Sequence, residues 1–332
     1  MTFCKSPYVM RAVVVLLTAF LCVAGALGLG CSSTSSTSGP SEPDGFALPE
    51  VVLVQAGSFT MGDGLAGCGV DEHEVTLTHD FHLCQHQVTN QEYLDAVQWA
   101  YDHGYVTATA SSVQDSLDGS TAQLVNLAGG CEIAFSDGVF SLRDAGHGVD
   151  PEHPVMDVTW YGAARYCDWL SLMVGSPRAY ENDGDWSCNG GDPYSAEGYR
   201  LPTDAEWEYA ARYDDERIYP WGDEVPSCDL ANFQGCVGWT SPVGNCPAGN
   251  SALGLADMAG NVYEWCNDWF SCDLGTDAQE DPTGVETGSS RVARGGSWFN
   301  DDSKLACAAR SFGSPAGSHR SIGFRAAISV GA

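Results

Sequence analysis

Positive charge is scarce in this sequence. The chain has 14 Lys and Arg residues against 44 Asp and Glu residues, which gives a formal net charge of −30, and its only lysines are Lys5 and Lys304. Binding to DNA or RNA requires a basic surface that displaces counterions from phosphates, so nucleic acid is excluded as the expected partner. A solvated acidic surface is the simplest interpretation of the charge, and attraction for cations is the second.

Closely spaced cysteine motifs are also missing. The chain has 14 cysteines, but no CxxC occurs after residue 31, which argues against a zinc ribbon or a thioredoxin-type motif. In an oxidising compartment most of the cysteines after residue 31 should form disulfides. The candidates closest in sequence are Cys266 with Cys272, and two of Cys228, Cys236 and Cys246.

Long apolar runs are confined to the N-terminus. Lys5 and Arg11 precede an apolar stretch over residues 12–29, and Cys31 follows small residues, as is typical of an export signal. Residues 26–31, Ala-Leu-Gly-Leu-Gly-Cys, are similar to a bacterial lipobox, which predicts that Cys31 is lipidated. Simple secretion and a single membrane anchor are the alternatives, because a run of about 18 residues is at the short limit for a spanning helix.

A polar linker follows the predicted signal. Residues 32–45 are rich in Ser, Thr and Pro, which favours a flexible tether. We therefore predict an export signal over residues 1–31, a linker over 32–45 and a folded domain over 46–332. The expected location is the periplasm or the cell surface, with the protein attached to the membrane through lipid on Cys31.

Helix start signals divide the predicted domain. Thr89 with Glu92, and Thr203 with Glu206, each have the spacing of a capping box. These patterns predict a helix from Thr89 to about Tyr101 and another from Thr203 through Arg212. A third helix is predicted over about Trp160–Met173.

Strand signals are short and scattered. Residues 51–61 are predicted as one strand, and alternation from Val75 to Leu83 predicts another. Residues 103–152 are predicted to be an irregular insertion with short strands at 132–135 and 139–142. Late strands are predicted at 291–299 and 323–329.

Several phrases occur in the order found in one family. They are GSFTMG (57–62), QVTNQEY (87–93), HPV (153–155), VTW (158–160), YRLPTDAEWEYAAR (199–212), PWG (220–222), GLADMAGNVYEW (254–265), RGGSW (294–298) and IGFR (322–325). In this the chain resembles the formylglycine-generating enzyme, or sulfatase-modifying factor, family. The resemblance implies a single α+β domain of C-type-lectin-like architecture with little regular secondary structure, interrupted by the insertion at 103–152.

Arginines and glycines within these phrases are predicted to be structural. Arg294, Arg310 and Arg325 are candidates for buried bidentate pairs with carboxylates. The pair Gly295-Gly296 suits close backbone approach or positive φ.

A calcium site is the metal centre that the sequence favours. Asp257 and Glu264 place two carboxylates seven residues apart around a Gly-Asn turn, and calcium accepts carboxylate and carbonyl oxygens. The resemblance implies that calcium is held by the Asp257 side chain, the carbonyls of Gly260 and Val262, and Glu264. A hydrogen-bonded turn without metal is the alternative. A second family calcium site begins at a phrase matching Asn232-Phe233, but its later segment is shortened here.

The catalytic phrase of the family is altered. The resemblance implies two cysteines, five residues apart after Gly-Gly-Ser, which bind copper(I) and oxidise a substrate cysteine with dioxygen. Asn300 stands at the first position, the loop is shortened, and no residue supplies the second. Cys307 matches a structural cysteine instead, and Cys167 matches another, each without its family partner. Copper is therefore not expected.

Two other chemistries have weaker support. His73, His79, His82 and His86 cluster in sequence, but period-2 alternation separates them onto two faces, so surface histidines of a hairpin are the preferred interpretation. A Ser297, His319 and Asp301 hydrolase rests on composition alone, because the sequence has no Gly-x-Ser-x-Gly elbow.

Two functions follow from these patterns. The first is a non-catalytic binding or scaffold module of the cell envelope, with an unidentified protein, peptide or glycan ligand. Its ligand surface would comprise Trp298, Phe299, Asn300, Asp301, Asp302, Phe312 and His319, because exposed aromatic and polar side chains suit such ligands. The second is a formylglycine-generating-type oxidoreductase that acts on sulfatases or another exported substrate through a different metal site.

Overall fold

The described residues form three α-helices, two of which directly follow the predicted capping residues. The computed structural model describes residues 46–63, 71–182 and 186–331, all within one compact unit; the predicted export signal, Cys31 and the linker lie outside these ranges. The helices are α1 (Asn90–Asp102), α2 (Trp160–Val174) and α3 (Asp204–Arg212). Both predicted capping boxes are present, at Thr89 and at Thr203. The bounds of all three helices agree with the predictions within about a residue.

Sixteen short strands and five short 3-10 helices account for the rest of the regular structure in the described residues. They are β1 (Val51–Val54), β2 (Gly57–Met61), β3 (His73–Leu77), β4 (Phe81–Cys84), β5 (Val106–Ala108), β6 (Ser112–Asp115), β7 (Gln123–Asn126), β8 (Ile133–Ser136), β9 (Val139–Leu142), β10 (Tyr199–Arg200), β11 (Tyr263–Trp269), β12 (Gln279–Glu280), β13 (Arg291–Arg294), β14 (Arg310–Gly313), β15 (Ile322–Gly323) and β16 (Ala327–Ser329). The predicted α+β class with little regular structure is therefore confirmed.

The strands form small sheets, and one of them positions the candidate site. Its order is β14-β13-β11-β15, with β11 antiparallel to β13 and parallel to β15. The second four-stranded sheet has the order β1-β4-β16-β10, and the remaining sheets are β12-β3-β2, β5-β6-β7 and β8-β9. Most neighbouring strands are distant in sequence, so long-range contacts hold the sheets together.

The predicted single strand over residues 51–61 is wrong. β1 pairs with β4, whereas β2 pairs with β3 in a different sheet. At the break between them the Ala56 N–H donates a hydrogen bond to the Asp80 carboxylate at 2.8 Å. That bond to a side chain replaces a sheet hydrogen bond, and the chain crosses from one sheet to the other.

The segment 103–152 is more ordered than predicted. The predicted strands near 132–135 and 139–142 are confirmed as the hairpin β8-β9, and β5, β6 and β7 add a three-stranded sheet. Val113, Leu124, Ile133 and Phe140 are buried in the main core with side chains of α1 and α2. The insertion is therefore packed into the domain as part of its core.

Helix α3 is buried on every side. All nine of its residues are buried. Its charged residues are tolerated because they pair: Arg294 contacts Asp204 and Glu208, and Arg310 contacts Asp204. With Arg325 bonded to Glu264, the predicted buried arginine–carboxylate pairs are confirmed.

Cysteines pair less than predicted. Cys228 and Cys236 form a disulfide, as their spacing allows, but seven other cysteines are buried thiols: Cys84, Cys131, Cys167, Cys188, Cys246, Cys266 and Cys307. The predicted pairing of Cys266 with Cys272 is therefore wrong, and so is any pairing of Cys167 or Cys307. These thiols pack as small apolar side chains in the core.

Within the described ranges, no helix has the length and apolar character needed to cross a membrane.

Candidate functional site

Four oxygens converge in the loop that leads into β11. Asp257, Gly260 and Asn261 all have positive φ, and these turns bring the carbonyls of residues 257, 260 and 262 toward one point. The carboxylate of Glu264 completes the group. We call these four oxygens, from Asp257, Gly260, Val262 and Glu264, the oxygen cage.

The Gln87 side chain lies against the oxygen cage. Its amide Nε2 is 3.1 Å from the carbonyl of Asp257, 3.3 Å from that of Gly260 and 3.0 Å from that of Val262. The same atom is 3.0 Å from Glu264 Oε1. Gln87 is fully buried, and its Oε1 has no hydrogen-bond partner. The predicted site residues are brought together, and Gln87, which the sequence did not single out, joins them.

Glu264 is held in place from two sides. Arg325 donates from Nε to Oε2 and from Nη2 to Oε1, both at 2.7 Å, and Trp207 Nε1 donates to Oε2 at 2.7 Å. All three side chains are fully buried. The carboxylate therefore keeps its orientation toward the cage through groups that lie outside it.

The oxygens of the cage are of the kind that calcium accepts. Calcium takes six to eight oxygens and accepts backbone carbonyls. The Asp257 carbonyl faces Gln87 Nε2, while its side chain, the predicted ligand, accepts a 2.6 Å bond from the Gly244 N–H through Oδ2. Burial raises the pKa of Asp257 above its ordinary value. The orphaned Gln87 Oε1 is a further oxygen within the buried site.

Asn232, where the resemblance implies the start of a second calcium site, is hydrogen-bonded within its own loop. The Asn232 side-chain nitrogen donates to the Trp239 carbonyl at 2.8 Å, while its Oδ1 is buried without a hydrogen-bond partner. The disulfide between Cys228 and Cys236 spans this loop. A covalent link therefore joins the residues on either side of Asn232-Phe233.

Asn300 is tied into its own turn. Ser297 Oγ donates to Asn300 Oδ1 at 2.5 Å, and the Asn300 N–H donates to the Ser297 carbonyl at 3.0 Å. The turn follows Gly295 and Gly296, both at positive φ, as predicted. A Cβ on Gly296 would lie 2.9 Å from the Lys304 carbonyl, so glycine is required for this close approach.

Thiols near this turn are shielded from solvent. Cys307 is fully buried, and burial raises its pKa well above the ordinary value. Burial likewise raises the pKa of Cys84, Cys131 and Cys188 to about 12. A reactive thiolate needs exposure and a lowered pKa, and these cysteines have neither.

The predicted ligand residues divide into a buried and an exposed group. Trp298 is only 7% exposed and packs on Trp239 at 4.9 Å between ring centroids, so its predicted place on the ligand surface is wrong: its ring fills a small core. Phe299 and Phe312 are 51% and 56% exposed, and Asp301, Asp302 and His319 are exposed as well. Asn300 is half-buried.

Phe312 and His319 line one cavity, which we call the β14 cavity. It has a volume of about 260 Å³ and is otherwise lined by Tyr263, Trp265, Ala293, Ser311, Gly313, Ser314, Gly317, Ser318, Ser321 and Ile322. No Asp, Glu, Lys or Arg lines it, although the chain carries a net charge of −30. His319 Nδ1 is 2.7 Å from Ser321 Oγ. The cavity thus offers hydroxyls and aromatic rings without formal carboxylate or guanidinium charge.

Phe299 contacts the residue that follows His319. Arg320, the next residue, stacks over Trp298 at 5.6 Å and over Phe299 at 5.9 Å, and its carbonyl accepts a bond from Trp298 Nε1. The exposed Phe299 and the β14 cavity are thus joined through residues 319–320.

Asp204 of α3 and Asp268 of β11 form a buried pair of carboxylates. Burial alone would raise the pKa of Asp204, but Arg294 and Arg310 outweigh it and hold that pKa below its ordinary value. Burial and the neighbouring charge of Asp204 raise the pKa of Asp268 to about 7. Asp268 Oδ2 accepts a 2.9 Å bond from the Asp204 N–H. Two adjacent carboxyls therefore hold opposite protonation preferences.

The four clustered histidines do not meet at one point. His73 is only 4% exposed, so the prediction of a surface histidine is wrong there. His79 contacts Glu206 at 3.3 Å and Asp281 at 3.2 Å, and His86 contacts the Gln87 carbonyl. In the described part of the chain, no three His, Cys, Asp or Glu side chains are grouped as metal ligands.

Comparison with solved structures defines the fold class. The structure of PvdO from Pseudomonas aeruginosa matches with a TM-score of 0.60 and 27% identity, over 85% of this chain and 95% of that one. A sequence model of a protein family, described as "Sulfatase-modifying factor enzyme 1-like domain", matches residues 37–330. The chain belongs to this sulfatase-modifying factor family, as its motifs indicated.

Sequence relatives differ in how much of their length this chain spans. A formylglycine-generating enzyme of Streptomyces coelicolor is 32% identical over 318 residues, covering 83% of this chain and 88% of the relative. A serine/threonine-protein kinase pkn1 of Chlamydia pneumoniae is 31% identical over 292 residues, covering 85% of this chain. The chain spans only 38% of that kinase's length.

Proposed function

We propose that this chain is a non-catalytic binding module of the cell envelope. The observation that carries the proposal is the replacement of the family's first catalytic cysteine by Asn300, whose carboxamide is bonded to Ser297. A carboxamide neither binds copper(I) as a thiolate does nor undergoes thiol redox chemistry. The nearest thiol in sequence, Cys307, is buried and protonated, so it is no substitute.

The β14 cavity and Phe299 are the proposed ligand surface. Phe312 and Phe299 supply exposed aromatic faces, and the serines of the cavity supply hydroxyls for hydrogen bonds. Because no Asp, Glu, Lys or Arg lines the cavity, we infer that it takes an uncharged group, such as a sugar ring or a neutral segment of a peptide.

Replacement of Phe312 by Ala tests this surface. We expect F312A to weaken binding at least about tenfold, because an aromatic anchor carries a large share of the free energy of binding. Arrays of neutral oligosaccharides and of uncharged peptides would supply ligands, and calorimetry would give the dissociation constants. V225A is the matched control, since Val225 is 75% exposed and does not line the cavity. Equal binding by F312A and V225A would overturn the assignment.

Calcium is proposed to bind at the oxygen cage, held by the carbonyls of Asp257, Gly260 and Val262 and by Glu264. A bound calcium would supply positive charge that ties the loop before β11 to the rest of the domain. Membrane attachment through Cys31 is proposed from the lipobox-like residues 26–31, and the intact mass of the mature N-terminus tests it.

An oxidoreductase is the second candidate, because the Streptomyces coelicolor relative is a formylglycine-generating enzyme that aligns with most of this chain. This function would require copper or iron bound away from Asn300. Elemental analysis of the purified, oxidised protein distinguishes the two candidates. Calcium alone supports the binding module, whereas stoichiometric copper or iron with dioxygen consumption contradicts it.

A further inference from the structure

We propose that the Gln87 side-chain amide closes the oxygen cage in two ways: as a hydrogen-bond donor when no cation is present, and as an oxygen ligand when one enters. The exchange requires only a half-turn about the terminal bond of the side chain. The first half concerns the cation-free protein, and the second half rests on the proposed calcium site.

The number of donors explains why the amide alone leaves the cage incomplete. Gln87 Nε2 lies 3.0–3.3 Å from four acceptors, but an amide nitrogen carries only two hydrogens. At least two acceptors therefore lack a full hydrogen bond from Gln87 at any moment. The amide oxygen, meanwhile, is buried with no hydrogen-bond partner. The amide therefore leaves its own oxygen and at least two of the cage acceptors without a full hydrogen bond.

A half-turn of the amide replaces the nitrogen beside the cage with an oxygen, which is the kind of atom that binds a calcium ion. It places Oε1 beside the four cage oxygens, where a fifth oxygen is repulsive without a cation and favourable with one. The amide oxygen would then have the cation as its partner, while the amide nitrogen would take the former position of Oε1. Amide oxygen and nitrogen are similar in size, so the exchange needs no repacking of the buried surroundings.

The cage can keep its shape through this exchange because its carboxylate is held from outside. Arg325 and Trp207 bond to Glu264 whether or not Gln87 does. The Arg325 guanidinium also donates to the Ala256 carbonyl at 2.8 Å, next to Asp257. Charge on Glu264 is therefore balanced in the cation-free protein, and the neutral Gln87 adds no further negative charge.

Charge is what separates glutamine from glutamate at this position. A carboxylate at residue 87 would face four oxygen acceptors, one of them on the charged Glu264, with no hydrogen to donate. Such a protein would depend on a cation for stability, whereas the glutamine protein tolerates its loss. Gln87 thus makes the site optional for the fold.

Thermal unfolding of the full chain in chelator and in millimolar calcium tests both halves. In chelator, we expect Q87M to unfold about 5 °C below wild type, because methionine keeps the volume but removes both amide groups. We expect Q87E to be destabilised in chelator and to gain more from calcium than wild type gains. Q114E adds the same charge on the exposed face of β6 and should respond to calcium as wild type does.

Terbium luminescence provides a second readout of the site. Trp207 lies 2.7 Å from Glu264, close enough to sensitise a terbium ion held in the cage. We expect Q87E to bind terbium about tenfold more tightly than wild type, because ligand charge sets the affinity of such sites. Q114E should leave this affinity unchanged.

Each result bears on one half of the proposal. Q87M as stable as wild type in chelator would overturn the donor role. A Q87E protein that responds to calcium no more than Q114E would overturn the ligand role. If neither wild type nor Q87E binds calcium or terbium, the calcium site itself is refuted, and Q87M in chelator alone decides the donor role. Should Q87M fail to fold even in calcium, Q87E in chelator, compared with Q114E, decides that role.

Discussion

Asp204→Asn is expected to lower the free energy of unfolding by about 3–5 kcal/mol. The Asp204 carboxylate accepts bonds from Arg294 Nε at 2.5 Å and from Arg310 Nε at 2.9 Å, and both arginines are buried. Asparagine leaves these guanidiniums without their shared negative charge, and its amide hydrogens face two cations. The loss is large because a buried charge without a partner cannot be compensated by water.

Chemical denaturation at neutral pH measures this effect, and thermal unfolding should show a decrease of roughly 10 °C. Asp214→Asn is the matched control, because Asp214 is exposed just after α3 and the substitution makes the same change in charge. A loss for D204N no larger than that for D214N would show that Asp204 does not bridge the two arginines.

Asp268→Asn is expected to stabilise the protein at pH 8, by on the order of 2 kcal/mol. The folded-state pKa of Asp268 is raised to about 7 from an ordinary value of 3.8. Between these values the unfolded chain loses its proton while the folded protein keeps it, so stability falls as pH rises from about 4 to about 7. Above pH 7 the folded protein buries a charge. Asparagine has no such charge, and its carbonyl can still accept the Asp204 N–H.

Denaturation curves from pH 4 to pH 8 test this prediction. The difference in stability between D268N and wild type should grow with pH across that window and then stay constant. The exposed Asp277 provides the control, since D277N should show no such trend. A constant difference from pH 4 to pH 8 would mean that the pKa of Asp268 is not raised.

Asp204 and Asp268 show why sequence analysis predicted only part of this buried group of charged residues. Arg294 and Arg310 were predicted to form buried pairs with carboxylates, because a guanidinium suits bidentate pairing with a carboxylate. That Asp204 serves both, and thereby raises the pKa of Asp268, depends on residues 64 apart in sequence meeting in the core. No local pattern encodes such a meeting.

Helix starts and strand breaks also differ in whether neighbouring residues determine them. The start of α3 was predictable because Thr203 and Glu206 satisfy the first N–H groups of the helix within four residues. The break between β1 and β2 was not, because it depends on Asp80, 24 residues away. Trp298 was predicted to be exposed because its aromatic ring adjoins polar residues, yet Trp239 covers it.

The sequence by itself determined the helix boundaries, the family and the absence of a cysteine at residue 300, since these depend on adjacent residues and on side-chain identity. Only the tertiary structure decided which oxygens meet and what lies against them. Gln87 reaches the Asp257 carbonyl across 170 residues of chain, and its amide is complementary to a cage that no segment forms alone. Buried polar groups find partners through the packing of the whole domain, and that packing placed an amide beside the predicted calcium ligands.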